Sequence, residues 1–279
     1  MKESVTEYPF YDISGPIAIA HRGGDAAGAE KENSMAAFQS AADAGIIYAE
    51  TDTIATKDGV ALAFHGSRNE KAVAETGLPL RSKIQEMTHN EVKNEIRIGY
   101  EIIPTLEEVL ATFPETRFFI DPKTEEAVAP TAKIIEKLQA QDRVSIGAFR
   151  YKRAKDTAEL LGGRKDVCTA LAAMGSLAML GLGNRVTAPF VKPYFNRTKA
   201  TSLQVPQNIV NPNMIERAHD LGIHVIVWPL KPERDDNRAY MDQALEQGVH
   251  GLMSDHTHDM VDAVLARDPN NQSIRRPDI

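Results

Sequence analysis

Two histidines and two alternating carboxylates stand where the first apolar segments of the chain end. His21 follows the run 16–20, Glu50 and Asp52 end a second apolar run, and His65 ends a third. Because a strand projects residues i and i+2 to the same face, Glu50 and Asp52 can direct oxygen ligands at one divalent cation. The unperturbed pKa of histidine lies near neutrality, so one imidazole can accept a proton while the other donates one. A metal ion with an acid–base pair predicts hydrolysis of an anionic ester.

Further polar residues end the later apolar runs. Asp121 and Lys123 repeat the i, i+2 spacing after the fourth run, and Trp228 and Asp255 close the last two. The Asp121 carboxylate would complete a three-carboxylate cation site, and the Lys123 ammonium would pair with a phosphate oxygen; the alternative for this pair is an ordinary surface ion pair. Active sites of barrels are assembled at the C-terminal ends of their strands, so this recurrence predicts one shared site.

Short β-rich runs alternate with amphipathic stretches along most of the chain, which is typical of a parallel sheet with crossover helices. The predicted strands are 16–20, 47–53, 60–65, 117–121, 143–147, 166–171, 201–205, 223–228 and 251–254. The predicted helices are 33–45, 125–139, 151–162, 212–222 and 237–248. This number of strands favours an α/β fold of the closed (β/α)8 barrel type. A doubly wound sheet is the weaker alternative, because Gly23-Gly24 lacks the spacing of a dinucleotide-binding loop.

Three segments should depart from this repeat within a single domain over 1–279. An Asp-Gly pair in the turn 56–59 predicts a hairpin, so one of the nine strands is a hairpin arm. Residues 66–104 have few β-branched runs and one helical stretch, and they predict an insertion over the barrel mouth. The polar tail, about 267–279, is expected to be poorly ordered.

Composition restricts the possible partners. The 279 residues are 42% hydrophobic and 25% charged, with a net charge of -7, which gives no general attraction to nucleic acid or anionic lipid. No apolar run reaches the roughly 18 residues of a membrane span, so no integral membrane association is expected. An acidic start unlike a secretory signal, together with a single cysteine, Cys168, predicts a cytoplasmic protein. The expected partner is a small anionic substrate.

The ordered motifs of the chain resemble those of the glycerophosphodiester phosphodiesterase family. They are His21-Arg22-Gly23, Glu32-Asn33-Ser34, Ala37-Phe38, Glu50-Thr51-Asp52, Thr56-Lys57-Asp58-Gly59, Phe64-His65, Phe119-Ile120-Asp121-Pro122-Lys123, Val225-Ile226-Val227-Trp228 and Gly248 to Asp255. The resemblance spans nearly the whole chain. It implies a (β/α)8 barrel with a small insertion and cleavage of glycerophosphodiesters to glycerol 3-phosphate and an alcohol.

The resemblance also implies roles for individual residues. It makes His21 and His65 the acid–base pair and places Arg22 and Lys123 on the phosphate. The ligands of a Mg²⁺ or Ca²⁺ ion would be Glu50, Asp52 and Asp121. Glu32 and Asn33 lie where a loop enters its helix, and we expect them to cap the helix and support the site rather than react. Trp228 would either shape the glycerol side of the pocket or belong to the barrel core.

Departures from the family pattern leave other activities open. Lys31 and Ser34 replace the usual Pro and Thr of one motif, and Ser34 keeps the capping oxygen. Gly66 follows His65 where the family usually has Asp, a pair closer to that of phosphatidylinositol-specific phospholipases C. Asp121 stands where the family usually has the longer Glu, so its contact with a cation could be direct or bridged by water. The alternatives are a lysophospholipid or inositol phosphodiester substrate, and a phosphate-ligand binding barrel without catalysis.

Overall fold

Eight parallel strands form a closed barrel in the computed structural model, which describes residues 8–28, 31–66, 80–98, 100–162, 168–171, 200–229 and 236–276. The strands are β1 (Ile17–Ala20), β2 (Tyr48–Ala55), β3 (Ala61–Ala63), β4 (Arg117–Pro122), β5 (Val144–Ala148), β6 (Cys168–Leu171), β7 (Ser202–Pro206), β8 (His224–Trp228) and β9 (Gly251–Ser254). The side chain of Cys168 lies outside the described part of the structure.

The sheet closes because β1 pairs in parallel with both β2 and β9. The remaining parallel strands follow in the order β9, β8, β7, β6, β5, β4 and β2, and β3 pairs antiparallel with β2 as the second arm of a hairpin. The predicted (β/α)8 barrel and the predicted hairpin arm are therefore confirmed. Each predicted strand position is occupied, with ends that differ by a few residues.

In the described ranges, helices connect the parallel strands. They are α1 (Met35–Asp43), α2 (Leu80–Glu86), α3 (His89–Glu95), α4 (Leu106–Thr112), α5 (Val128–Lys137), α6 (Tyr151–Leu160), α7 (Pro212–Asp220), α8 (Arg238–Gln247) and α9 (Thr257–Arg267). The α1 helix begins at a cap in which the Ser34 hydroxyl accepts from the backbone N–H of Ala37 at 3.2 Å. None of the described helices is long and apolar enough to cross a bilayer.

Aromatic side chains close the end of the barrel opposite the strand C-termini. Phe10 is fully buried, and its ring makes edge-to-face contacts with Tyr48 at 5.4 Å and Phe119 at 4.8 Å between centroids. The Tyr48 hydroxyl donates to the Phe10 carbonyl at 2.5 Å. Since Tyr48 is the first residue of β2, this cluster plugs the N-terminal end of the barrel, and the site must lie at the other end.

The segment 66–104 was predicted to be an insertion, and its described part contains α2, α3 and an isolated pairing of Ile98 with Glu101. The apolar residues of α2 and α3 join a separate buried cluster with Leu62 and Phe64 of the hairpin arm. Residues 67–79 and 99 of this segment lie outside the described structure.

The expectation of a poorly ordered tail from Arg267 is wrong for residues 268–276. The Ser273 side chain is fully buried, and its hydroxyl accepts from the backbone N–H of Ala18 at 3.1 Å. Ile274 is buried and pairs with Ile46. Residues 268–276 include only one large apolar side chain, so their sequence resembles that of a disordered segment. They are held mainly by hydrogen bonds to backbone groups near β1. Residues 277–279 are not described.

Candidate active site

His21 lies at the C-terminal end of β1, beside the carboxylate that follows β9. The parallel register pairs Ala20 with Ser254, so the next residue of each strand, His21 and Asp255, are neighbours. The Nδ1 atom of His21 is 2.7 Å from Oδ1 of Asp255. On the other side of the ring, Nε2 of His21 is 3.8 Å from Oε2 of Glu50. The imidazole therefore spans the gap between two carboxylates.

The sharp turn after β1 requires glycine. Arg22 has a φ of 53° and Gly23 a φ of +87°, both in the left-handed region. A Cβ atom on Gly23 would lie 2.8 Å from the backbone carbon of Ala37 in α1, which is too close for any side chain. The turn directs the Arg22 guanidinium into the barrel mouth, where Nε lies 3.0 Å from Oδ2 of Asp52 and Nη1 donates to Glu32 at 2.8 Å.

Asn33 supports the carboxylate of Asp52 from the loop before α1. Its Nδ2 donates to Oδ2 of Asp52 at 3.2 Å, and its Oδ1 accepts from the Thr51 hydroxyl at 2.8 Å. Asn33 also has a positive φ of 61°, a conformation that asparagine tolerates better than most residues. Both Asn33 and Asp52 are fully buried. The amide therefore holds one face of Asp52 without itself reaching the solvent.

The second i, i+2 pair meets the first through sheet register. Asp52 of β2 and Asp121 of β4 are direct partners across the parallel strands. The Lys123 ammonium lies between them, 2.7 Å from Oδ1 of Asp52 and 2.5 Å from Oδ2 of Asp121. Glu50, two residues before Asp52, projects from the same face. Three predicted carboxylates and both predicted cations therefore lie in one cluster.

Burial and neighbouring charges shift the pKa values of these three carboxyls in different directions. Burial raises the pKa of Glu50, and the neighbouring Asp52 raises it further. Burial likewise raises the pKa of Asp121, although Lys123 opposes the shift. For Asp52, burial disfavours ionisation, but Lys123 and Arg22 outweigh it and lower the pKa. The cluster therefore contains one firmly ionised carboxylate and two carboxyls that would ionise more readily beside an additional cation.

His65 follows the hairpin arm β3 and is partly buried at the edge of this cluster. Its pKa is lowered from 6.5 to about 3, chiefly by burial and also by Arg22 and Lys123, against the attraction of Asp52. The guanidinium of Arg81 in α2 holds the His65 backbone, with Nε donating to the carbonyl oxygen at 3.1 Å. The His65 imidazole is therefore neutral at physiological pH and lies within electrostatic range of Asp52, Arg22 and Lys123.

The donor chemistry of the cluster fits a hard divalent cation. In the described ranges, no three His, Cys, Asp or Glu side chains are already arranged around an ion position, since the Lys123 ammonium lies between two of the three carboxylates. Oδ1 of Asp121 is nevertheless buried without a hydrogen-bond partner there. Carboxylate oxygens are the ligands that Mg²⁺ and Ca²⁺ prefer. Glu50, Asp52 and Asp121 could hold such an ion if the Lys123 ammonium moved aside.

Comparison with known proteins decides the family. Residues 21–259 match the sequence profile of the Glycerophosphoryl diester phosphodiesterase family. The chain belongs to this family. It is 31% identical over 261 residues to the "Probable glycerophosphodiester phosphodiesterase 2" of Mycobacterium tuberculosis, across 92% of this chain and 94% of the relative. It is also 26% identical over 276 residues to a lysophospholipase D of Rattus norvegicus, across 85% of this chain and 82% of the relative.

Solved structures show the same fold. A glycerophosphodiester phosphodiesterase from Parabacteroides distasonis superimposes with a TM-score of 0.69 at 17% identity, covering 91% of this chain and 99% of that one. An Oleispira antarctica phosphodiesterase, solved in complex with the product sn-glycerol-3-phosphate, gives a TM-score of 0.67 at 19% identity and covers 90% and 97%. As a member of the glycerophosphoryl diester phosphodiesterase family, the chain is a phosphoric diester hydrolase.

Two aromatic residues border the site of this glycerophosphoryl diester phosphodiesterase family member. Trp228 ends β8 and packs against the interior cluster, while Phe149 follows β5 and is 57% exposed. Their rings meet edge to face at 6.2 Å, and the Lys123 ammonium is 5.6 Å from the Phe149 ring. The aromatic pair therefore reaches across the mouth from strands that do not pair with each other.

Three residues that the structure places here had no predicted role. Asp255 was noted only as a strand-end carboxylate, and Phe149 and Arg81 were not singled out. A partial signal existed for Asp255, because the first and last strands of a closed barrel are neighbours, but the register that brings Asp255 to His21 is visible only in the structure. Nothing in the sequence distinguished Phe149 or Arg81, since one follows an ordinary strand and the other lies in the insertion.

Proposed function

We propose that this protein hydrolyses glycerophosphodiesters to glycerol 3-phosphate and an alcohol, using a divalent cation and two histidines. One observation carries the proposal. The C-terminal mouth of one barrel brings together side chains that are far apart along the chain, namely His21, His65, three carboxylates and two cations. The names of the relatives support the substrate class, as does the glycerol 3-phosphate found in the Oleispira antarctica enzyme.

The proposed cation would be held by Glu50, Asp52 and Asp121. When bound, it would neutralise charge that develops on the non-bridging phosphate oxygens. The raised pKa values of Glu50 and Asp121 support this assignment, because burial and the neighbouring Asp52 disfavour their ionisation despite Lys123, and a bound cation would favour it. Either Mg²⁺ or Ca²⁺ suits this set of oxygen donors.

The cations of the chain would bind the phosphate. Arg22 and Lys123 both contact Asp52, and each keeps some exposed side-chain surface whereas Asp52 has none. A phosphodiester placed between them would exchange part of these contacts for charge-assisted hydrogen bonds. Asp52 would still accept the hydrogen bond from Asn33 when the two cations bind the phosphate, so its buried carboxylate would not lose all of its partners.

The two histidines would act as general base and general acid in the reaction. One imidazole takes a proton from the attacking hydroxyl, which belongs either to water or to the adjacent glycerol carbon, and the other protonates the departing alcohol. His65 is neutral and therefore able to accept a proton. His21 is held by Asp255 on one nitrogen and presents the other to the cluster.

The test is turnover of glycerophosphocholine by purified protein that has been stripped with a chelator and then given Mg²⁺ or Ca²⁺. We expect glycerol 3-phosphate and choline in equal amounts, little turnover after stripping, and recovery with at least one ion. Release of phosphocholine would contradict the proposed bond cleavage. Calorimetric uptake of glycerophosphocholine without any release of product would indicate the non-catalytic binding barrel instead.

A second candidate substrate is a lysophospholipid, favoured by the exposed ring of Phe149 beside the proposed phosphate cation Lys123. A lysophospholipase D of Rattus norvegicus is among the relatives, and the match covers 82% of its length. If an acyl chain packs on Phe149, Phe149→Ala should raise KM for lysophosphatidylcholine several-fold and leave KM for glycerophosphocholine nearly unchanged. Leu160→Ala, at a 55% exposed side chain of α6, is the matched control. Equal effects of Phe149→Ala on both substrates would exclude this candidate.

A further inference from the structure

The Nδ1 atom of the His21 imidazole contacts the carboxylate of Asp255, a residue to which the family resemblance assigned no role. Asp255 is buried, and its Oδ1 is 2.7 Å from Nδ1 of His21, within the range of a charge-assisted hydrogen bond. The two residues are 234 positions apart in sequence. Their contact is fixed by the pairing of β1 with β9 and by no local turn.

Asp255 is itself anchored on both sides. Its backbone N–H donates to Oδ2 of Asp236 at 2.9 Å, and the Ser254 hydroxyl donates to Oδ1 of the same carboxylate at 2.8 Å. The carbonyl oxygen of Asp255 accepts from the backbone N–H of Asp25 at 2.8 Å. With its N–H and its carbonyl both bonded, the backbone of Asp255 is held in place beside the His21 ring.

This contact dictates which ring nitrogen faces the substrate. An ionised carboxylate only accepts hydrogen bonds, so Nδ1 of His21 must carry a hydrogen. In the neutral ring, the lone pair is then on Nε2, which points toward Glu50 and the centre of the cluster. A ring released from Asp255 could rotate and present its carbon edge or its protonated nitrogen instead.

We propose that Asp255 is a positioning residue, which holds the His21 ring so that Nε2 is the atom that exchanges a proton with the substrate oxygen. The proposal rests on the proposed function, because it assumes that His21 handles a proton in phosphodiester cleavage. Within the site, the described side-chain contact of Asp255 is with the His21 ring, so its effect should be on the rate of the chemical step and not on substrate binding.

The first experiment compares steady-state kinetics of Asp255→Asn with the unmodified enzyme on glycerophosphocholine. We expect kcat to fall by about tenfold to a hundredfold, as for other residues that orient a reacting group, with KM changed less than about twofold. Asp255→Glu keeps the charge and should recover part of the loss. A kcat within twofold of the unmodified enzyme in a folded Asp255→Asn variant would overturn the proposal.

A neighbouring pair of residues provides a matched control. Asp25 and His256 form a pair of the same chemistry, with Oδ2 of Asp25 2.7 Å from Nδ1 of His256. This pair does not touch His21, so Asp25→Asn should leave kcat and KM unchanged. An equal loss of kcat in Asp25→Asn and Asp255→Asn would mean that these loops act only through general stability, which also overturns the proposal.

A double-mutant cycle separates this proposal from the function on which it depends. If Asp255 acts only through His21, adding Asp255→Asn to His21→Ala should lower the residual rate no further. If His21→Ala alone stays fully active, the proposed function fails and the positioning role fails with it. If His21→Ala is inactive while Asp255→Asn is active, only the positioning role fails.

Nitrogen-15 NMR of histidine-labelled protein gives a readout independent of turnover. The unmodified enzyme should show a strongly low-field Nδ1–H proton that disappears in His21→Ala and in Asp255→Asn but persists in Asp25→Asn. Absence of this signal from the unmodified enzyme would contradict the hydrogen bond on which the proposal stands. This measurement remains decisive even if the Asp255 variants fold poorly.

Discussion

Asp52 and Asp121 lie side by side on neighbouring parallel strands, and the ammonium group of Lys123 lies between their carboxylates. Asp52 has no exposed surface, and Lys123 and Asp121 are nearly buried as well. A buried ion pair contributes little net stability, but removal of one partner leaves an uncompensated charge. Lys123 therefore stabilises the two buried carboxylates in the folded protein, whatever it does in the reaction.

Replacement of this ammonium should be costly. We expect Lys123→Met to lower the free energy of unfolding in chelator by about 3 kcal/mol, because two buried carboxylates lose their shared partner. Added Mg²⁺ or Ca²⁺ should recover part of the loss. Urea denaturation followed by circular dichroism measures both effects. Lys137→Met, which breaks an exposed pair with Glu107, is the control and should change stability little. Equal losses in the two variants would contradict the role of Lys123.

The turn that presents His21 and Arg22 should tolerate no side chain at Gly23. Gly23→Ala combines a positive φ with a contact of 2.8 Å between its new Cβ and the Ala37 backbone carbon. Gly59 has a similar φ of +79° but open space around it, so Gly59→Ala isolates the cost of the backbone conformation, about 1 kcal/mol. We expect Gly23→Ala to lose about 1–3 kcal/mol beyond that. Denaturation midpoints that do not differ would refute the tight packing of the turn on α1.

Three histidines at the other end of the barrel should make the fold sensitive to acid. The ring of His250 lies 4.2 Å from that of His219 and 4.5 Å from that of His224. Burial, together with the neighbouring histidines, lowers the pKa of His224 from 6.5 to about 4 and that of His250 to about 3. Because the unfolded chain binds these protons more readily, stability should be full above pH 6.5 and decrease as the pH falls toward 4.

A variant at His224 tests this pH dependence. The Nε2 atom of His224 is buried without a hydrogen-bond partner among the described residues, and its ring stacks on Tyr11 at 4.2 Å. His224→Phe keeps the stacking and does not titrate, so its stability should fall less steeply between pH 6.5 and 4. His258→Gln, at an exposed histidine, should keep the steep slope. An unchanged slope in His224→Phe would exclude the cluster as the cause.

The fold was predictable from sequence because its signals are local. Apolar runs bounded by polar residues placed every strand of the barrel, and the Asp58-Gly59 pair identified the hairpin that makes β3 antiparallel. The strand-end positions of His21 and Asp52 predicted a shared rim, because the C-terminal ends of parallel strands always lie at one end of a barrel.

The remaining features depend on contacts between distant residues. The bond between His21 and Asp255 follows from strand register, which spacing alone does not give. The tail at Ser273 and Ile274 looked disordered because its stabilising contacts are with backbone atoms near β1 and with Ile46, far away in sequence. The Lys123 ammonium was expected on a phosphate, and its present position between two carboxylates depends on charge balance in three dimensions.

The central claim is that His21 and His65 act on one phosphodiester at one centre, and turnover of glycerophosphocholine by single alanine variants tests it most directly. In the presence of the activating ion, His21→Ala and His65→Ala should each lower kcat by at least about a hundredfold, as expected for loss of a general acid or base. His258→Ala should retain the full rate. Near-normal kcat in a folded His21→Ala or His65→Ala variant would contradict the account.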